Sequence, residues 1–320
     1  MNALLKTEAT SAVVDAFNTP VLLIIFNRPE KTRSVFEAIK KQKPRYLYVA
    51  ADGPRPGNTD DIEKCKAARG VIQVDWDCDL HTLYRDENRG CGRGPAEAIS
   101  WFFENVDEGI ILEDDCLPVA YFFYYCQQLL HHFRTDEHMF VVSGTNPVIK
   151  WKSGKSSYTI TKYAGTWGWA TWKRAWLKFD HSIKEWETSE GKAKVRQFLN
   201  SERHYRVFND IFETFSNPIR QIDVWDYQWF FTRFVSGGYS IVPGKNLISN
   251  IGFGDEANHT IYKDDKLSGL TSFEQNDPIV FRKSKPDKIY DWYIFERIIN
   301  PQKRSTVKKI VLKILKFLYS

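Results

Sequence analysis

Sulfur is scarce in this chain of 320 residues, which has five cysteines and two methionines. Cys65, Cys78, Cys91, Cys116 and Cys126 are odd in number and form no Cys-x-x-Cys pair. That pattern excludes a disulfide framework and a thiolate zinc site, and points to a reducing, cytoplasmic setting. Long apolar runs are missing too: none approaches the ~18 residues that a membrane-spanning helix needs. Residues 1–17 carry acids and only a broken apolar run, so they read poorly as a signal peptide. Acid is absent from one place, the last twenty residues, which hold six Lys and Arg and no Asp or Glu. The whole chain has 45 Lys and Arg against 40 Asp and Glu; without that tail the balance is 39 against 40. A neutral body excludes a general nucleic-acid binder, and makes the basic excess a local device. There is no internal repeat and no low-complexity tract, and 42% hydrophobic with 27% charged residues is a globular composition.

What is present is an alternation. Residues 20–26 (Pro-Val-Leu-Leu-Ile-Ile-Phe) form a short apolar run that ends in Asn27, Arg28 and Pro29. Such a run reads as a strand buried on both faces. Helical spacing follows over 30–42, with Val35, Phe36 and Ile39 on one face and lysines opposite. Residues 46–51 read as a second buried strand, 60–71 as a helix and 81–85 as a third strand. Residues 88–95 read as a glycine-rich loop, 96–105 as a helix, 109–112 as a fourth strand and 120–132 as a helix. Alternation of this kind predicts a doubly wound, mainly parallel α/β sheet, whose ligands sit at the carboxyl ends of the strands. Asn27 and Arg28, Asp52, Asn88 to Arg93, and Glu113 to Asp115 all fall at those ends. Beyond residue 140 the pattern is mixed. Short strands are expected at 139–143, 158–162 and 239–242, and helices near 192–216 and 226–236. Residues 255–304 read as loops and a surface extension.

Several segments can carry chemistry. Glu113-Asp114-Asp115 puts three carboxylates after a buried strand, where hard oxygen ligands can hold Mn²⁺ or Mg²⁺ against a diphosphate. In residues 88–95, glycines let the backbone approach a ligand, and Arg89 and Arg93 can pair with phosphate. Residues 165–172 (Gly-Thr-Trp-Gly-Trp-Ala-Thr-Trp) offer Trp167 and Trp169 as sugar-stacking surfaces, or form a tightly packed turn and helix start. Asp223 and Asp226 lie among Trp225, Tyr227 and Trp229, a setting that can raise a carboxylate toward general-base duty. His259, in a glycine-containing loop, is a candidate metal ligand or phosphate donor.

The blocks PVLLIIFNRPEKTRSVFEAI, AADG and ENRGCGRGPAEAISWFFENVDEGIILEDDCLPVAYFFYYC resemble the nucleotide-sugar-binding half of GT-A-fold glycosyltransferases. Their order is most similar to the N-acetylglucosaminyltransferase I group, which carries an EDD motif. It is also similar to bacterial family-2-type transferases of the haemolysin-like kind. The resemblance implies a GT-A-like fold, a Rossmann-like mixed sheet of seven or eight strands with helices on both faces. It implies a nucleotide-sugar-binding half over 19–138 and an acceptor half over 139–260; the residues themselves give a tail at 1–18, an extension over 261–304 and a basic amphipathic helix over 305–320. It further implies transfer of a hexosyl or N-acetylhexosaminyl group from a nucleoside diphosphate, UDP first, to a hydroxyl of a glycan or lipid-linked acceptor in bacterial surface polysaccharide assembly, with inversion. Arg28 would meet the diphosphate or uridine, Asp52 the uracil edge, and Glu113 and Asp114 the ribose and nucleotide, with Asn88 and Arg93 nearby. Asp115 would ligate Mn²⁺ or Mg²⁺. Asp226 is the first choice for the base and Asp223 the second. The glycine segment departs from the N-acetylglucosaminyltransferase pattern. The rivals are a nucleotidyltransferase, which would want glycine in the Asn27-to-Glu30 loop, and a non-catalytic carbohydrate-binding or membrane-peripheral protein.

The tail supplies one more expectation. In residues 307–319 apolar side chains recur every three to four positions, with Lys308, Lys309, Lys313 and Lys316 over much of the remaining helix surface. Such a helix suits an anionic membrane surface and places the protein peripherally on the inner face of the cytoplasmic membrane. The competing expectation is a helix docked on the protein's own core.

Overall fold

The structure is a computed structural model, and it describes residues 17–217, 220, 222–252, 269–281, 285–301 and 306–319. His259 lies outside the described residues. The first half alternates: β1 (Val21–Ile25), α1 (Pro29–Gln42), β2 (Tyr46–Ala51), α2 (Thr59–Gly70), β3 (Asp79–Tyr84), α3 (Gly90–Asn105) and β4 (Glu108–Glu113). Then come β5 (Cys116–Pro118), α4 (Ala120–His132), β6 (Met139–Ser143), β7 (Tyr158–Thr161), β8 (Trp169–Trp172) and the single turn α5 (Lys173–Trp176). The remainder is α6 (Ser189–Leu199), α7 (Glu202–Ser216), α8 (Asp226–Val235), β9 (Tyr239–Pro243), β10 (Ile248–Asn250), α9 (Lys288–Ile294) and α10 (Thr306–Tyr319).

Eight strands form one sheet in the order β3-β2-β1-β4-β8-β6-β9-β7. The first four are parallel, β8 runs against both β4 and β6, and β7 runs against β9. This is an α/β fold, a mixed eight-stranded sheet with helices on both faces. Successive strand residues point to opposite sides. Val21, Leu23 and Ile25 therefore join α1 and α4 in one apolar layer. Leu22, Tyr48 and Ala50 join α3 and α8 in the other. Both faces are covered, which is why β1, β2 and β4 read as unbroken apolar runs. Local signals set the helix ends. Pro29 opens α1, Asn58 caps α2 by accepting from the Asp61 amide at 3.2 Å, and Ser201 caps α7 by accepting from His204.

Four expectations are corrected. Residues 90–95 are the first turns of α3, not a loop; Pro95 lies inside the helix, in its second turn, where it gives up one i−4 hydrogen bond. Residues 169–172 are a strand in the middle of the sheet, not a turn and helix start, and all four are buried. The expected helix over 192–216 is two helices, broken at Asn200, whose φ of 48° is left-handed. The extension after 255 is not all surface: Tyr290, Tyr293, Ile294 and Phe295 are core residues.

Candidate functional site

The carboxyl ends of β1, β2 and β4 lie at one edge of the sheet. A cleft of 480 Å³ opens there, lined by Phe26, Arg28, Asp52, Arg55, Arg85, Asn88, Glu113, Asp114, Asp115, Trp167, Asp223 and Asn250 among others. Its floor is ionic. Arg28, carried just past β1, forks between two carboxylates: Nη2 pairs with Asp114 Oδ1, and Nη1 with Asp115 Oδ2 at 2.9 Å. The Phe26 amide also donates to Asp114 Oδ2, at 3.3 Å. Burial works against the Arg28 charge, but Asp114 and Asp115 outweigh it and hold the guanidinium above its ordinary value. The Arg28 Nε is buried and has no hydrogen-bond partner among the described residues. Burial raises both Glu113 and Asp114, and the neighbouring carboxylates add to it while Arg28 opposes it. Three carboxylates against one guanidinium leave the floor short of positive charge.

The side wall is built on Asp52, at the end of β2. Its two oxygens accept from the Arg89 amide at 3.0 Å, and Oδ2 accepts from Asn88 Nδ2 at 3.0 Å. Burial raises Asp52, while the backbone donors of Arg89, Gly53 and Gly90 and the charge of Arg85 pull it back. Arg55 stands over the Phe26 ring at 5.7 Å and pairs with the fully buried Asp61, whose carboxyl it draws down to about 2.

The glycine segment does something other than expected. Gly92 N donates to Asp223 Oδ1 at 2.9 Å, and the Cys91 thiol donates to the Asp223 carbonyl at 2.9 Å. The amides that open α3 are thus used on the protein's own carboxylates, Asp52 and Asp223, not left for a phosphate. A Cβ at Gly90 or Gly92 would run into the Asp223 carboxylate, so these glycines let the 222–224 segment lie against the helix end. Burial, then the charge of Asp223, pushes the Cys91 thiol up to about 12, which removes it as a nucleophile.

The other candidates divide. Arg28, Asp52, Asn88, Glu113, Asp114, Asp115, Trp167 and Asp223 meet at the cleft. Arg93 is exposed and is not among the residues lining it. Trp169 is not a stacking surface. It is 0% exposed and packs on Trp225 and Trp229, with ring centroids 5.8 and 5.9 Å away. Asp226 begins α8, half-buried and outside the cleft lining, yet its charge reaches Glu113 and the buried Arg233. Arg55, Arg85, Asn250 and Gly252 also line the cleft and were missed. Asn250 reaches the cleft because β10 pairs with β5, setting Asn250 opposite Cys116. Gly252 follows it, and a Cβ there would strike Asp115 Oδ2. The Asn250-Ile-Gly sequence was visible, but nothing in it told that the segment returns to the acidic turn.

All oxygen donors, with excess negative charge, suit a hard divalent cation. Among the described residues no three His, Cys, Asp or Glu converge to hold an ion. Asp115, near Asn250 and paired through Oδ2 with Arg28, is the carboxylate that could hold one.

No family model matches the chain, and no curated protein matches it. Solved structures give slight likenesses. The mannosyltransferase PcManGT from Pyrobaculum calidifontis, in complex with GDP-Man and Mn²⁺, is 16% identical with a TM-score of 0.34 over 48% of this chain; the match spans 44% of that protein, less than half its length. UDP-glucose pyrophosphorylase complexed with UDP-glucose is 9% identical, with a TM-score of 0.35, over 73% of this chain and 94% of that one. Mouse xyloside xylosyltransferase 1 is 10% identical, with a TM-score of 0.29, over 67% and 80%. Likenesses this slight carry nothing about the chemistry of the cleft.

Proposed function

We propose that the chain is a metal-dependent glycosyltransferase. It takes a hexosyl or N-acetylhexosaminyl group from a nucleoside diphosphate, UDP first, and places it on a hydroxyl of a glycan or glycolipid acceptor of the kind used in surface polysaccharide assembly. One observation carries the reading. At the carboxyl edge of a parallel sheet, five carboxylates (Asp52, Glu113, Asp114, Asp115 and Asp223) line a cleft with three arginines (Arg28, Arg55 and Arg85). A diphosphate would be repelled by that balance alone. A divalent cation on Asp115 would cancel that formal excess of two negative charges and supply charge stabilisation to the departing diphosphate. The unpartnered Nε of Arg28 is a donor suited to a phosphate oxygen. Asp52, held by Asn88 and the Arg89 amide, fits the N–H edge of a pyrimidine. Trp167, half-buried on the rim, offers a face to a sugar ring. Asp226 is the proposed base, taking the proton of the acceptor hydroxyl as that oxygen attacks the anomeric carbon on the side opposite the diphosphate, which inverts it. Asp223, engaged with α3, keeps the segment leading to Asp226 in place.

The test is a panel of UDP-, GDP- and TDP-sugars, assayed for donor hydrolysis with and without Mn²⁺. Release of one nucleoside diphosphate, dependent on the metal, supports the reading. In a parallel assay with a nucleoside triphosphate and a sugar phosphate, release of pyrophosphate with formation of the nucleotide sugar would replace it with nucleotidyl transfer. Inertness toward all of them would leave a carbohydrate-binding protein.

A further inference from the structure

The C-terminal helix α10 has three faces, and one of them is packed on the body among the described residues. At 3.6 residues per turn, Lys308, Leu312, Leu315 and Tyr319 share a side, and this side is docked. Leu312 is buried, and Leu315 packs on the same core layer as Tyr290 and Tyr293. Tyr319 stacks on Trp151 with centroids 4.8 Å apart, its carbonyl accepts from the Lys152 amide, and Lys308 reaches the buried Glu296 at 3.4 Å. The helix therefore belongs to the folded body. Docking and membrane contact, read from the sequence as competitors, concern different faces.

The second face is apolar and uncovered. Ile310, Ile314, Phe317 and Leu318 are 52, 51, 87 and 60% exposed, and Val311 lies beside them. Four or five large apolar side chains on one stripe are a patch, not the scattered surface residues any protein carries. The third face, between the first two, presents Lys309, Lys313 and Lys316, all exposed.

We propose that this face of α10 is a docking surface for an anionic lipid bilayer. The charge pattern selects the occupant. A second copy seated on the same face would bring two lysine stripes together, with no acid in the last twenty residues of either chain to offset them. An anionic bilayer supplies negative headgroups beside an apolar interior, which is the order in which the lysine and apolar faces lie around the helix. The helix has 14 residues, about 21 Å at ~1.5 Å per residue, too short to cross a hydrocarbon core of ~30 Å. It would lie in the headgroup plane. Because its other side is fixed to Trp151 and Glu296, it would hold the body in one orientation on the membrane. The inference does not rest on the transferase reading.

The experiment is co-sedimentation of the full chain with vesicles of phosphatidylglycerol mixed with phosphatidylcholine, and with phosphatidylcholine alone, at low and high salt. The full chain is expected to pellet with the anionic vesicles, less so as salt rises, and to stay in solution with the neutral ones. The double variant Ile314→Ser, Phe317→Ser changes only exposed positions and should lose at least about tenfold in partitioning. Each of Lys309→Gln and Lys313→Gln should lose about fivefold, equivalent to ~1 kcal/mol. Thermal melts of all variants should match the parent, since the docked side is untouched. Failure of the full chain to pellet with anionic vesicles, or wild-type pelleting by the serine variant, would overturn the proposal. So would a light-scattering mass showing a dimer that the serine substitutions dissociate while vesicles bind neither form.

Discussion

The two walls of the cleft are made of different materials. The wall from β1, β2 and β4 is ionic: Arg28 between Asp114 and Asp115, Asp52 on the Arg89 amide, and Arg55 on Asp61. Behind the wall that carries Asp223 the packing is aromatic. Trp169, Trp176, Trp225 and Trp229 pack against one another, and Phe208, Phe212, Phe231 and Phe234 continue the layer. The difference matters because the two kinds of contact hold a site differently. Charged side chains at strand ends are fixed by a few directional bonds and respond to a bound ion. An aromatic layer holds by area and shape, and changes in its interior are felt as stability.

The comparison is broken most severely at Asp226. Asp226→Asn should lower turnover by ~10²–10⁴-fold, with nucleotide affinity in titration calorimetry unchanged. Loss of nucleotide affinity instead would make Asp226 part of the donor wall. Trp169→Ala comes next. It should cost ~3–5 kcal/mol of stability in denaturant unfolding, because it empties the middle of the aromatic layer. Trp167→Ala, on the rim, should leave the unfolding midpoint nearly in place and raise the KM for acceptor. Equal destabilisation by both would mean that Trp167 is core as well.

The joint between the walls can be tested separately. Gly92→Ala drives a methyl group into the Asp223 carboxylate and the backbone of Asp223 and Val224, which cannot yield easily, so it should cost ~1–3 kcal/mol. Gly57→Ala meets nothing within 4 Å but is strained by its φ of 75°, and should cost ~1 kcal/mol. Gly92→Ala as mild as Gly57→Ala would show that the 222–224 segment shifts freely.

A smaller effect comes from pH through one histidine of the aromatic region. His204 stacks on Phe295 at 3.7 Å and shares a hydrogen bond with the Tyr163 hydroxyl at 2.7 Å. Burial, then the charges of Lys162 and Arg203, lowers it to about 4. Its folded value is below its unfolded one, so the unfolded chain binds the proton first as pH falls. Stability from this group is complete above about 6.5, and is lost as pH drops from there toward about 4. Allowing for its half-buried position, the loss should be ~1–2 kcal/mol. Urea unfolding of wild type and His204→Phe across that window checks it: the difference between the two should shrink or reverse toward the acid end, and a constant difference would exclude the proton.

The ionic wall was readable from the chain for a physical reason. A strand buried on both faces must be apolar throughout, so the polar residue that ends it stands out: Arg28 after Ile25, Asp52 after Ala51, and Asp114 and Asp115 after β4. The aromatic wall was less readable because burial erases alternation. Residues 169–172 hold Trp, Ala, Thr and Trp, which is no period of two, yet they form the strand beside β4. Trp167 and Trp169 differ by two positions and share the same residue type, and only the packing of α8 separates the rim from the core. Asn250 was hidden for another reason: β5 and β10 are three residues each and meet across more than 130 positions, a distance no local pattern reports.

The central claim is that a cation on Asp115 turns an acidic cleft into a diphosphate site. Its most direct measurement is calorimetric titration of UDP into wild type and Asp115→Asn, each with and without Mn²⁺. The account predicts tight binding only for wild type with Mn²⁺, and weak binding of similar size in the other three cases. Equal affinity of wild type and Asp115→Asn in the presence of Mn²⁺, or wild-type binding that Mn²⁺ does not strengthen, would contradict it.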